Sequence, residues 1–169
     1  MISPLSLANV LMLFAAFFCL WTTSPQSRGG VVRLWRLAMP AAFAAVVALM
    51  LLSSMFDATL QHDAEWVIAL LLGGFIGRTR GWTLQVEIDR MWGLARLPRT
   101  VDALVIAGGV VTVAAIDFIS SVLEEALIAP VHVAAGSAFC AGFLACRALA
   151  IIVRATRAPH VGLRDATHG

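Results

Sequence analysis

Apolar residues dominate this chain in long runs that keep to no single helical face, and the polar residues collect between them. A bilayer core of about 30 Å is crossed by about 20 apolar residues in a helix. Leu5 to Thr23, Leu37 to Phe56, Val101 to Val122 and Leu127 to Val153 meet that requirement. The third run is weaker. Trp66 to Ile76 is too short alone, and a span from Thr59 to Gly77 must carry Gln61, His62, Asp63 and Glu65 in the interfacial zone. A re-entrant segment is the alternative. Thr100, after Pro98, is placed to cap the fourth helix, and Pro130 falls in the first turn of the fifth, where it is tolerated. The pattern predicts an all-α membrane protein of five transmembrane helices, one membrane domain over residues 1–153.

The stretch from Arg78 to Thr100, between the third and fourth runs, follows another period. Trp82, Leu84, Val86 and Ile88 alternate with Thr83, Gln85, Glu87 and Asp89. Period two over such a segment is a strand with one apolar face. Asp89 to Gly93 has turn chemistry, with Gly93 suited to positive φ, and Leu94 to Leu97 returns as a partner. A short β-hairpin over 78–100 is therefore predicted. A lone hairpin is marginal in water, and its tryptophan and aliphatic face would gain support on lipid headgroups.

Composition agrees with a lipid solvent. The chain has 169 residues, 60% hydrophobic and 13% charged, with mean hydropathy +0.90, whereas soluble domains carry about 25% charged residues. The net charge is only +2, so its distribution matters more than its sum. Arg28, Arg33 and Arg36 follow the first run, Arg78 to Arg99 follow the third, and Arg154, Arg157 and Arg164 close the chain. Asp57, Asp63, Glu65, Glu124 and Glu125 occupy the other two links. The positive-inside rule is satisfied at every link only if the third run spans, with the N-terminus outside and the C-terminus inside. Trp21, Trp35, Trp82 and Trp92 then fall near the inner interface and Trp66 near the outer one, as an aromatic belt does. All the basic residues are arginine, which with the alanine excess suits a GC-rich bacterium and hence its inner membrane. Ser24 to Arg36 reads as a turn with a basic face, and 154–169 as a disordered cytoplasmic tail. The first run lacks a basic n-region and reads as a retained helix rather than a signal peptide. Cys19, Cys140 and Cys146 lie in apolar runs and read as buried fillers, not as a disulfide framework.

Candidate chemistry is sparse. If the fourth and fifth helices form an antiparallel hairpin, residues whose numbers sum to about 249 share a depth. Asp117 then pairs with His132, and Asp102 with Arg147, on facing stripes. Ionisable groups inside a membrane are costly, so they usually face the bundle and pair. Each also has a plain structural reading. Asp102 suits a helix N-terminus, Arg147 snorkels, and Asp117 and His132 sit near water. Asp57, His62, Asp63, Glu65, Glu124 and Glu125 offer oxygen and imidazole ligands, but their spacing fits an ordinary acidic loop better than a metal site. Small residues recur at close-packing spacing in Gly73, Gly74 and Gly77, in Ala134, Ala138 and Gly142, and in Ala41, Ala45 and Ala48. They predict tight helix contacts, within the chain first and in a homo-oligomer second. No nucleophile elbow, phosphate loop, dinucleotide fingerprint or zinc motif occurs, so no cofactor, metal or nucleic acid is expected.

Five short spans, a cytoplasmic segment after the third, and Gly77, Arg78, Arg80 and Gly81 ahead of an alternating strand through Asp89 resemble the small CcdC-like bacterial membrane proteins and their relatives. The resemblance implies a multi-pass inner-membrane protein linked to cytochrome c maturation, and it brings no catalytic residues. The chain has no matched cysteine pair, so the resemblance implies no thiol role for it. The expected function is a non-enzymatic accessory or assembly factor, meeting a partner or anionic headgroups through Arg78, Arg80, Trp82, Trp92 and Arg96. The alternative is a small proton- or cation-handling transporter using Asp117 and His132.

Overall fold

A computed structural model describes residues 7–53, 60–89 and 91–157. Five α-helices and a small antiparallel sheet make up the fold, in the order α1 (Leu7–Ser27), β1 (Gly30–Arg33), a 3-10 turn (Leu34–Leu37), α2 (Met39–Ser53), α3 (Leu60–Thr83), β2 (Glu87–Asp89), β3 (Leu94–Leu97), α4 (Asp102–Leu123) and α5 (Pro130–Arg157). Among the described residues, four stretches are long and apolar enough to cross a membrane: α1, Leu34–Ser53, α4 and α5. The third segment is one uninterrupted helix of 24 residues, and its polar first turn and terminal arginines keep it outside that group.

α5 is the axis of the bundle. Val133, Ala134, Ser137, Ala138, Gly142 and Arg147 are among its buried residues, and α2, α3 and α4 all pack on it. α1 lies against α2 and α4. Alanine makes these close approaches possible. Ala16, Ala44, Ala107 and Ala114 are fully buried, while Phe14, Phe17, Leu49, Leu71 and Phe75 point outward. Small residues thus line the closest approaches, beside buried Met12, Phe143 and Leu144, while many large apolar residues face outward, the arrangement by which membrane helices approach closely and present apolar surface to lipid.

The tightest seam joins α3 to α5. A Cβ at Gly73 would stand 2.1 Å from the Phe139 carbonyl oxygen, one at Gly77 2.1 Å from that of Phe143, and one at Gly81 2.8 Å from that of Arg147. The offset between partners is constant along this Gly-x-x-x-Gly-x-x-x-Gly series, so the two helices run parallel. Gly142 returns the contact, since its Cβ would meet the Leu70 carbonyl oxygen at 2.3 Å. The small residues singled out in these two helices therefore serve contacts within the chain.

At one end the bundle carries the sheet, with strand order β1-β3-β2. β3 pairs antiparallel with β1 (Val32 opposite Ala95) and with β2 (Ile88 opposite Ala95). Four expectations change here. The first link is not only a turn; it supplies the third strand. The expected strand from Trp82 is shortened to Glu87–Asp89, because α3 continues through Thr83. A basic side chain on the neighbouring helix makes the extra turn possible. Arg154 Nη1 donates to the carbonyls of Gly81 (3.1 Å), Trp82 (2.9 Å) and Leu84 (2.5 Å), filling acceptors that a helix C-terminus leaves open. The apolar face of the hairpin does not wait for headgroups. Val86, Ile88, Ala95 and Leu97 cluster with Leu37, Ala148, Ile151 and Ala155. α5 itself runs to Arg157, so the expected tail loses its first four residues to helix; 158–169 lie outside the described residues.

The hairpin turn matches its sequence chemistry. Gly93 has φ +59°, and Asp89 Oδ1 accepts from the amides of Met91 (3.1 Å) and Trp92 (3.3 Å). Asp89 is consequently buried although the alternation places it on the polar face. The register of β1 brings Gly29, at φ +77°, to within 3.2 Å of the Arg99 amide from its would-be Cβ.

Candidate functional site

The polar centre of the molecule forms where α3, α4 and α5 meet near the sheet. α5 and α4 are antiparallel, and the predicted register holds at three levels: Asp102 with Arg147, Gly109 with Cys140, and Val113 with Gly136. Arg147 is buried to 3% exposure. Its Nε lies 3.7 Å from Asp102 Oδ2, and its Nη2 donates to Thr100 Oγ1 at 3.4 Å. Thr100 is therefore not the cap it was expected to be. Val101 occupies the N-cap of α4 without a side-chain bond, and the Thr100 hydroxyl serves the arginine instead.

A third group enters that sequence pairing did not supply. Arg80 Nε donates to Asp102 Oδ2 at 3.0 Å. The two ion pairs differ in kind. The Arg80 pair is shorter, but the Arg80 side chain is half-exposed at 51%, and solvent-exposed pairs contribute about 0–1 kcal/mol. The Arg147 pair is longer, but both groups are largely enclosed, at 4% and 17%. Removing the carboxylate from a buried pair costs about 3–5 kcal/mol, because a charge is left uncompensated. Arg147 is thus the member that depends on Asp102. One carboxylate serves two guanidiniums, and Asp102 Oδ1 and Arg147 Nε are buried without a hydrogen-bond partner among the described residues. The sequence signal for Arg80 was its place beside Gly77 and Gly81, on the turn that the glycines bring down onto α5.

The second expected pair does not close. His132 Nδ1 is 3.7 Å from Glu65 Oε2 on α3, and no ion pair joins it to Asp117 among the described residues. The seam between α3 and α5 is the tighter one, so at this end α5 meets α3 rather than α4. Asp117 is half-buried on α4, and its backbone carbonyl accepts from Ser121 Oγ. The amide of Asn9 in turn donates to Ser121 Oγ at 2.7 Å, tying α1 to α4. Asn9 escaped sequence pairing, although an amide inside an apolar run is itself a signal for an interhelical bond. Of the acidic group considered for a metal, Asp57 and the His62 side chain lie outside the described residues.

The residues considered for partner or headgroup contact are spread over the sheet end. Arg78 and Trp82 are exposed on the last turns of α3, and Trp92 is exposed in the hairpin turn. Arg96 is held across the sheet by Glu87 at 3.3 Å, its cross-strand neighbour. Arg36 stacks over Trp35, its guanidinium carbon 5.7 Å from the ring centroid. Cys19 donates to the Pro40 carbonyl at 3.3 Å, and the cysteines are free. Comparison with protein-family models, with curated proteins and with solved structures returns no match to this chain.

Proposed function

We propose that this chain is a multi-pass protein of a bacterial inner membrane, with five spans, the N-terminus outside and the sheet end in the cytoplasm, acting as a non-enzymatic accessory or assembly factor. The folded sheet end carries the reading. Segments from two links and the last turns of α5 are joined there into one packed unit, with Ile88 and Ala95 at 1% and 0% exposure. Loops that only connect spans need no such core. The unit presents Met91 and Trp92 at 79% and 53% exposure, beside exposed arginines, which suits contact with a partner protein or with headgroups. The five-span layout is also what the CcdC-like resemblance implies, with cytochrome c maturation as the accompanying process.

A continuous α3 parallel to α5 supports the third span, since in an alternating series the third and fifth spans run the same way. The transporter alternative, through Asp117 and His132, has less behind it: His132 engages Glu65 at an exposed position. The double substitution Met91→Ser and Trp92→Ser tests the leading reading without touching the sheet core. Loss of co-purifying partners while the fold is kept is expected. The same partners retained at wild-type yield would defeat it.

A further inference from the structure

Between α3 and α4 a cleft of about 430 Å³ opens sideways, lined by Ile76, Thr79, Arg80, Thr83, Asp102 and Phe143. We propose that it binds the phosphate of an anionic phospholipid, held by Arg80; the proposal rests on the membrane reading above.

Charge comes first. Arg80 and Arg147 share the Asp102 carboxylate, and among the described residues no other acidic group pairs with either. The cluster is one negative charge short. Among the described residues Arg80 uses only Nε, for Asp102, which leaves its Nη donors for an outside anion, and guanidinium matches phosphate in a bidentate fork. Thr79 and Thr83 spend their hydroxyls on the Ile76 and Arg80 carbonyls, so the arginine is the phosphate donor in the cleft.

Shape comes second. α3 and α4 both pack on α5 and barely on each other, so the gap between them faces sideways. Its polar residues lie towards the sheet, and Ile76 lies about one turn further along α3, with Phe143 behind it. A headgroup above and a glycerol–acyl junction below have the same polarity order. In the membrane reading this level is the inner leaflet, where anionic lipids give the surface its negative potential. A sideways opening between apolar helices admits a lipid before a dissolved ion.

The test uses the purified full chain in mild detergent, titrated by native mass spectrometry with phosphatidylglycerol and phosphatidylcholine of identical acyl chains. Wild type is expected to hold phosphatidylglycerol about tenfold more tightly, the scale of a charge-assisted bidentate contact. Arg80→Gln should abolish the preference, Arg80→Lys should keep part of it, and Arg28→Gln, the same charge change at an exposed arginine outside the cleft, should leave it. Equal binding of the two lipids by wild type, or equal loss in Arg80→Gln and Arg28→Gln, overturns the proposal. So does displacement of the lipid by equimolar inorganic phosphate, which would mark a site for a free anion. Alkaline carbonate extraction of membranes separates the two readings. A protein that washes out removes the membrane reading, whereas one that stays but shows no lipid preference removes only this proposal.

Discussion

α5 has two seams of opposite construction. Against α3 it runs parallel and meets backbone, with Gly73, Gly77 and Gly81 on one side and Gly142 on the other. Against α4 it runs antiparallel and meets side chains: Cys140 stands 3.2 Å from a would-be Cβ at Gly109, a Val113 methyl stands 3.4 Å from one at Gly136, and Arg147 reaches Asp102 at the sheet end. The first seam spreads its attraction over many van der Waals contacts, each worth about 0.1–0.2 kcal/mol. The second concentrates it in one charged anchor. A distributed seam should weaken gradually under single changes, whereas a concentrated one should fail at one residue.

The largest effect is therefore expected at Asp102. Asp102→Ala leaves Arg147 buried with only Thr100, and should cost about 3–5 kcal/mol, read as a fall in the thermal midpoint in detergent. Adding Arg147→Met removes the stranded charge and should recover most of the loss, because partners in one network are not additive. A double variant as unstable as the sum of the singles would show that the pair does not anchor the seam. Gly77→Ala comes next. Its methyl would meet the Phe143 carbonyl oxygen at 2.1 Å, so the helices must part locally, at about 1–3 kcal/mol. An unchanged midpoint would mean the seam has slack that its geometry does not show.

Sequence alone read these seams unequally. The antiparallel register was legible because two helices joined by a short link have little choice of alignment, and Asp102 and Arg147 fall opposite by arithmetic. The parallel seam was legible only as a glycine stripe; nothing in Gly73 or Gly77 says that α5 is the partner. At the sheet end, the alternation put Leu84 and Ile88 on the buried side, although Trp82 stays exposed and Asp89 is buried, and Gly93 and Asp89 marked the turn. The length of the strand was misread, because α3 is extended by Arg154, a long-range cap from a segment assigned to the tail. β1 was missed because Gly30–Arg33 is four residues long, too short for a period to declare itself. Arg80 was assigned to the surface, and its bond to Asp102 depends on how far the glycines let α3 descend along α5.

Arg154 links the parallel seam to the sheet, and its loss should cost less than the loss of a glycine. Arg154→Gln removes a donor from three carbonyls at the end of α3. The bond to the Trp82 carbonyl is exposed and those to Gly81 and Leu84 are part-buried, so water recovers part of the loss and about 1–2 kcal/mol is expected. Hydrogen exchange at the amides of Val86 and Ile88 should rise before the global midpoint falls. Exchange unchanged at those two amides would show that the cap does not hold the strand in place.

The smallest effect sharpens the comparison from the other side. Gly108 sits in the middle of α4, one residue from Gly109, and a Cβ built on it meets nothing within 4 Å. It belongs to a helix but to no seam. Alanine there removes backbone freedom from the unfolded chain without touching a neighbour, which in a helix interior stabilises by about 0.5–1 kcal/mol. Gly108→Ala and Gly77→Ala are then the same chemical change with opposite signs, and the difference between them measures how close α5 comes rather than how glycine behaves in a helix. If both variants lost stability equally, helix propensity would play no part in the result, and α4 would have to be packed against something at Gly108, a second copy of the chain being the partner to look for by crosslinking.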